Sequence, residues 1–219
     1  MNYSFLANTL LFKGVSAEEL KSMLQCLDGT EKEYSKSEIV FFAGESIDSI
    51  GLVLSGSVNI EYDDIWGNKT ILGRAEVGQI FGEAYACRPS EPLMINAVAS
   101  EKCTILFLKI SRLTTTCQNS CTCHNRLIQN LLNILSLKNL NLSRRSLHIT
   151  SKSIRGRLLS YLSEQAKERG SASFSIPYNR QQLADYLGVD RSALSNELSK
   201  MQQEGLISYD RNSFTIIMT

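Results

Sequence analysis

Two groups of residues in this 219-residue chain combine side-chain type and spacing in ways that suit chemistry. The first runs from Arg191 to Ser199. On a helix, Leu194, Leu198 and Met201 recur at i, i+4 and i+7 and face a core, which leaves Arg191, Ser192, Ser195, Asn196 and Ser199 on the opposite side. Short polar side chains and one arginine on a helix face can reach the hydrogen-bonding edges of base pairs. The second group is Cys117, Cys121, Cys123 and His124, spaced C-x3-C-x-C-H. If this segment is helical, Cys117, Cys121 and His124 share one face. Soft thiolates with an imidazole suit zinc or an iron–sulfur centre, and haem is a further candidate. Thiols near a helix N-terminus also have a lowered pKa and can act as a redox switch. Small buried cysteines without a role fit equally well. The spacing matches no metal motif that ligand geometry dictates, so these readings stay open.

The first group needs a scaffold, and the flanking residues supply one. Asn179 is a good N-cap, and Leu183, Ala184 and Leu187 give the helix after it one apolar face. Gly188 can take the left-handed conformation that stops this helix, and Asp190 caps the next. Gly205 ends the second helix. Leu206 to Tyr209 and Phe214 to Met218 then flank Asp210-Arg211-Asn212-Ser213 as a β-hairpin. A helix-turn-helix with a trailing hairpin makes a winged DNA-binding domain. Two packed helices in an ordinary α+β core are the alternative.

Upstream, residues 1–30 read as helical around Phe5-Leu6, Leu10-Leu11-Phe12 and a segment from Ser16 to Leu27, where Ser16 and Glu19 form a capping-box signature. From Tyr34 to Lys109 the chain turns to short β-prone runs punctuated by glycine. These are 39–42, 51–54, 58–62, 70–72, 95–98 and 104–108, with Asp64-Ile65-Trp66-Gly67-Asn68 as the tip of one hairpin. A long helix follows from about Cys121 to Leu147. Its apolar face, from Leu127 through Leu142, is wider than one contact surface needs. One stripe can cover the β-roll while the remainder pairs with a second copy, or both can be buried within a monomer. Ser151 to Gln165 is another amphipathic helix, and 168–173 a polar loop. The expected division is 1–120, 121–148 and 149–219.

The net charge of +1 is unevenly spread. Residues 1–137 carry eleven Lys and Arg against fifteen Asp and Glu, net −4; residues 138–219 carry twelve against seven, net +5. The basic half is the one with the helix-turn-helix, as a phosphate-facing half should be. No apolar run is long enough to span a bilayer and Met1 to Leu20 lacks a signal-peptide pattern, so a cytoplasmic protein without a membrane partner is expected. Six cysteines are then no disulfide framework by default. His124 and His148 join no nucleophile–base arrangement and no phosphate-binding glycine loop precedes a helix, so no enzyme is expected.

A glycine-punctuated β-roll, a long helix and a winged helix, in this order, resemble the CRP/FNR family of bacterial transcription regulators. The matching pieces are Gly44-Glu45, 52–58 (LVLSGSV), 78–83 (GQIFGE), and Arg180-Gln181-Gln182-Leu183 through Leu198. The fold this implies is α+β: an N-terminal antiparallel β-roll of cyclic-nucleotide-binding type, a long dimerisation helix and a C-terminal winged helix-turn-helix. The implied protein is a homodimer that binds double-stranded DNA, with RNA polymerase as a further candidate partner. An effector in the roll would shift the population between DNA-competent and DNA-incompetent states.

Cyclic AMP binders of the family use a Gly-Glu pair and, about ten residues later, an Arg-Ser pair. The resemblance therefore puts the effector pocket at Gly82, Glu83, Leu93 and Met94. Leu93 and Met94 are apolar where a buried phosphate needs a cation and donors, and Arg88 is out of register. The adenine-reading Thr-Ser position falls on Lys138-Asn139. Cyclic AMP is thus not the expected effector, and the effector or cofactor stays unassigned. The cysteine cluster also differs from the N-terminal iron–sulfur cysteines of the FNR branch. In the DNA reader, Arg191 matches an arginine that pairs with guanine, and Ser195 a serine of the FNR branch. Ser192 and Asn196 replace a glutamate and a second arginine, while Asn179 and Arg180 fall on phosphate-contacting positions. A regulatory module acting on a protein partner is the rival function; the charge split and the Arg/Ser/Asn face favour DNA.

Overall fold

The computed structural model describes residues 1–67, 69–115 and 122–217. The chain divides into two compact units, Met1–Leu135 and Ser136–Thr219, each with its own apolar core. The division falls inside the long helix rather than at either of its ends.

The first unit opens with α1 (Tyr3–Ala7) and α2 (Ala17–Cys26). The capping box of α2 is present: the Ser16 hydroxyl accepts from the Glu19 N–H, and the Glu19 carboxylate accepts from the Ser16 N–H at 2.8 Å. These bonds hold the Glu19 carboxyl below its ordinary pKa. Leu10 to Phe12 form turns instead of helix, yet Leu11 and Phe12 are fully buried.

Eight strands follow: β1 (Thr30–Tyr34), β2 (Ile39–Phe41), β3 (Ser49–Ser55), β4 (Val58–Asp63), β5 (Lys69–Ala75), β6 (Ile80–Phe81), β7 (Asn96–Ala99) and β8 (Cys103–Lys109). They pair antiparallel in two four-stranded sheets, ordered β1-β8-β3-β6 and β2-β7-β4-β5. β1 (TEKEY) has no apolar alternation to announce it. It is an edge strand that pairs only with β8 among the described residues, and charged residues suit an edge because they discourage further pairing. The β4–β5 turn carries Ile65 and Trp66 almost bare to solvent, 89% and 80% exposed. Asn68 of the expected tip lies outside the described residues.

Aromatic rings hold the interior together. The Phe41 ring lies 5.6 Å from those of Phe81 and Phe107, and Tyr34 meets Phe107 edge-on at 6.2 Å. Gly51 makes room for Phe81, since a Cβ there would lie 2.4 Å from the ring. The short helices α3 (Glu83–Ala86) and α4 (Ile110–Thr114) flank β7 and β8 in sequence.

The long helix, α5 (Thr122–Ile149), buries Leu127, Leu131 and Ile134 in the core of the first unit. The Asn130 amide donates to the Leu11 and Lys13 carbonyls at 2.9 Å, and Arg126 donates to the Gly14 carbonyl. The rest of its apolar surface stays open: Leu132, Leu137, Leu140, Leu142 and Leu147 are exposed. No described helix is long and apolar enough to cross a membrane.

The second unit contains α6 (Ile154–Arg169), β9 (Ser173–Ser175), α7 (Arg180–Leu187), α8 (Arg191–Gln203), β10 (Ile207–Asp210) and β11 (Ser213–Ile216). α6 runs four residues past the expected end and stops at Gly170, whose φ of 60° is the left-handed turn-off. The hairpin strands join β9 in a sheet ordered β10-β11-β9. β9 has one apolar residue, Phe174, whose ring stacks on Phe214. The hairpin ends at Ile216, and Met218 lies outside the described residues.

Replacing Gly51 with alanine should destabilise the first unit by about 1–3 kcal/mol, the usual cost of overpacking. Denaturant titration checks this, and unchanged stability would show that Phe81 repacks freely.

Candidate nucleic-acid interface

The turn between α7 and α8 is where most local interactions converge. α7 begins with a capping box: Asn179 Oδ1 accepts from the Gln182 N–H at 2.9 Å, and Gln182 Oε1 accepts from the Asn179 N–H at 2.8 Å. It ends at Gly188, with φ of 63°. The last carbonyls of a helix lack internal donors, and here two arginines supply them. Arg145 of α5 donates to the Asp185 and Tyr186 carbonyls at 2.8 and 2.9 Å. Arg157 of α6 donates to those of Leu187 and Gly188, both at 2.9 Å. Two cations at the negative end of the helix dipole add to the effect.

Asp190 starts α8. Its Oδ1 accepts from the Ser192 hydroxyl, the Ser192 N–H (2.8 Å) and the Ala193 N–H (3.0 Å). These bonds, the Ser192 hydroxyl first, hold its carboxyl below the usual aspartate value. Leu194, Leu198 and Met201 are completely buried. Arg155 of α6 grips the same helix: Nε donates to Glu197 at 2.6 Å, and the two Nη atoms donate to the Glu204 carboxylate at 2.7 and 2.8 Å.

The outward face of α8 is uneven in its free hydrogen-bonding capacity. The Ser192 hydroxyl donates to Asp190, Ser195 to the Arg191 carbonyl at 3.0 Å, and Ser199 to the Ser195 carbonyl at 3.1 Å. Each of these serines therefore faces outward mainly as an acceptor. Arg191 and Asn196 are exposed and make no side-chain hydrogen bond among the described residues. Both keep their donors unspent on this face. At the start of α7, Asn179 remains exposed with Oδ1 committed to its cap. Arg180 is half-buried across the rings of Tyr209 (4.8 Å) and Phe214 (5.5 Å) and donates to the Arg211 carbonyl at 3.2 Å. It joins the helix start to the hairpin turn.

The expected effector residues Gly82, Glu83, Leu93 and Met94 differ in exposure. Gly82 is left-handed with φ of 79°, and a Cβ there would meet Phe41 at 2.9 Å. Glu83 is buried at the first turn of α3. Leu93 sits in the core at 3% exposure, while Met94 beside it points outward at 70%. Arg88 lies on the surface beside Glu91 at 3.5 Å. Of the cysteine group, Cys117 and Cys121 lie outside the described residues. The Cys123 thiol donates to Glu19 at 3.3 Å, and His124 is buried. His148, also buried, contacts Glu164 at 2.6 Å and Ser160 at 3.1 Å.

The contacts of Arg145, Arg155 and Arg157 were not anticipated from sequence. The basic excess of residues 138–219 contains all three, but only packing pairs them with their partners. The Asp190 cap has a pH signature. Its folded-state pKa is depressed, so its stabilising effect is complete above the ordinary aspartate range and disappears as pH falls through the lowered value. Asp190→Ala should therefore melt below the native chain near neutral pH, with the gap closing in acid. An equally wide gap in both, read from thermal melts, would contradict the charged cap.

Two family models match the chain in tandem: the cyclic nucleotide-binding domain over residues 31–120 and the Crp-like helix-turn-helix domain over residues 156–218. No curated protein matches it. Among solved structures, CprK in complex with OCPA is 18% identical, with a TM-score of 0.67 over 91% of this chain and 89% of that one. The c-di-GMP-responsive global regulator CLP of Xanthomonas campestris is 21% identical, with a TM-score of 0.57 over 91% and 100%. A cyclic nucleotide-binding domain from Methylobacillus flagellatus is 20% identical, with a TM-score of 0.57 over 69% and 83%. Identities this low speak for the fold alone. With a sensor-type roll ahead of a Crp-like helix-turn-helix, the chain belongs to the CRP/FNR family of transcription regulators.

Proposed function

We propose that this family member acts as a homodimer that reads a specific DNA sequence through α8 and answers to a ligand other than cyclic AMP. The observation that carries the DNA reading is the outward face of α8. Arg191 and Asn196 keep their donors free there, while the opposite face is sealed into the core through Leu194, Leu198 and Met201. A free guanidinium fits the O6 and N7 of guanine, and a free carboxamide fits N6 and N7 of adenine. Ser192 and Ser195 contribute acceptors, and Asn179 and Arg180 stand at the helix start where phosphate contacts fall.

The open leucines of α5 support the dimer. A row of exposed Leu137, Leu140 and Leu147 on a 28-residue helix is apolar surface that a second copy of the same helix would bury. The rejection of cyclic AMP rests on Leu93 and Met94. One is core and the other solvent-facing, and neither offers the cation that a buried phosphate needs.

Selection from a random duplex library tests this reading. Enriched sequences should hold two inverted half-sites whose centres lie about one helical turn, ~10 bp, apart, with two chains bound per duplex. Arg191→Ala should weaken the selected site by about 1–3 kcal/mol and relax one base position per half-site. Full retention of affinity and specificity would remove Arg191 from the interface. Leu140→Glu combined with Leu147→Glu should give monomers in sedimentation and abolish two-fold site selection.

A further inference from the structure

The first unit has a groove that none of the expected pocket residues lines. It occupies ≈600 Å3 where the edge strands β1 and β2 meet the β2–β3 loop. Tyr34, Phe41 and Phe107 form its aromatic lining, with Tyr34 and Phe107 only half-buried. Lys32 of β1 places its ammonium 5.7 Å from the centre of the Phe107 ring and makes no ion pair among the described residues. Glu45 and Asp48 bring carboxylates from the loop. That loop is anchored: the Glu45 carbonyl accepts from the Leu93 N–H at 2.8 Å, and the Asp48 carbonyl accepts from the Ile110 N–H at 2.9 Å. Ile47 between them is buried. Asp48 takes the Ser49 hydroxyl on one oxygen, and the Glu45 carboxylate makes no bond among the described residues.

A ring-lined groove with a cation on one strand and carboxylates on a separate, pinned loop selects a particular kind of molecule. A plain carbohydrate would waste the rings, and a phosphate would face two carboxylates. A purely apolar molecule would leave the ammonium and the carboxylates unused. We propose that this groove binds a small aromatic zwitterion of the free aromatic amino-acid class. The ring packs among Tyr34, Phe41 and Phe107, the carboxylate meets Lys32, and the ammonium meets Glu45 and Asp48. The volume suits a small-molecule site, typically ~300–1,000 Å3. A ligand here would bridge β1 and the β2–β3 loop, and so tie two edges of the roll together. That such binding reports to DNA rests on the proposed regulator function; the binding itself does not.

Calorimetric titration of the full chain with L-phenylalanine and L-tyrosine tests the site, with phenethylamine, 3-phenylpropionate and L-alanine as comparisons. The two amino acids should bind saturably. Phenethylamine and 3-phenylpropionate, which each lack one charge, should bind about tenfold more weakly, as should the Lys32→Gln and Glu45→Gln/Asp48→Asn variants, one charged contact being lost in each case. All the substituted side chains are exposed, so folding is not at stake. L-alanine should not bind. No heat from either aromatic amino acid would overturn the proposal, as would full binding by both variants or equal binding of alanine. Binding of the selected duplex, measured on the same preparation, separates the two ideas. Intact DNA binding without amino-acid binding sinks the groove alone, and absent DNA binding sinks the regulator reading.

Discussion

Four backbone carbonyls at the end of α7 shape the DNA-reading unit. A helix ending in a tight turn leaves its last carbonyls short of donors, and of these only Asp185 also accepts from a backbone N–H among the described residues, that of Gly188 at 3.3 Å. Arg145 from α5 and Arg157 from α6 fill the vacancies, so two other helices converge on one turn. Gly188 supplies the backbone reversal and Asp190 restarts the chain as α8. The outward face of α8 is thereby set by contacts made behind it. Arg155 adds a second hold further along, through Glu197 and Glu204. Because Arg145 belongs to the long helix, hydrogen bonds of 2.8 and 2.9 Å tie the second-unit part of that helix to the turn.

The roll shows a different division of labour. Its interior is closed with aromatic side chains, and the turn at Gly82 and Glu83 serves packing as well as any ligand. The Leu93 amide and carbonyl are committed to Glu45 and Gly44, which puts this position to work holding the β2–β3 loop. Relatives sharing this architecture can differ in effector because the strands carry the fold while loops and interior side chains carry the specificity.

Much of the DNA reader was legible in the chain. Asn179 with Gln182, Gly188 and Asp190 are local signals, each acting within four residues, and the structure bears out the cap or turn expected of Asn179, Gly188 and Asp190. The capping box of α2 is of the same kind. What escaped depends on partners distant in sequence. β1 and β9 are strands because of the neighbours they pair with: Glu31 and Lys32 or Ser173 and Ser175 have no preference strong enough to say so alone. Arg155 lies 42 and 49 residues from its two carboxylates, and nothing in that spacing announces the pairing. The packing of Arg180 on the rings of Tyr209 and Phe214, 29 and 34 residues further along the chain, has no local signal either. An unspent donor is likewise a property of the folded surface, which is why Arg191 and Asn196 stand apart from Ser192 and Ser195 only in three dimensions.

The proposed reader of DNA is the face of α8 bearing Arg191 and Asn196. Amide hydrogen exchange with and without a selected duplex addresses it directly. Exchange should slow over the starts of α7 and α8, spanning Asn179 to Gln182 and Arg191 to Ser199, with β3 and β8 of the roll unchanged. Protection that appears elsewhere, with these two segments exchanging as in the free protein, would contradict it.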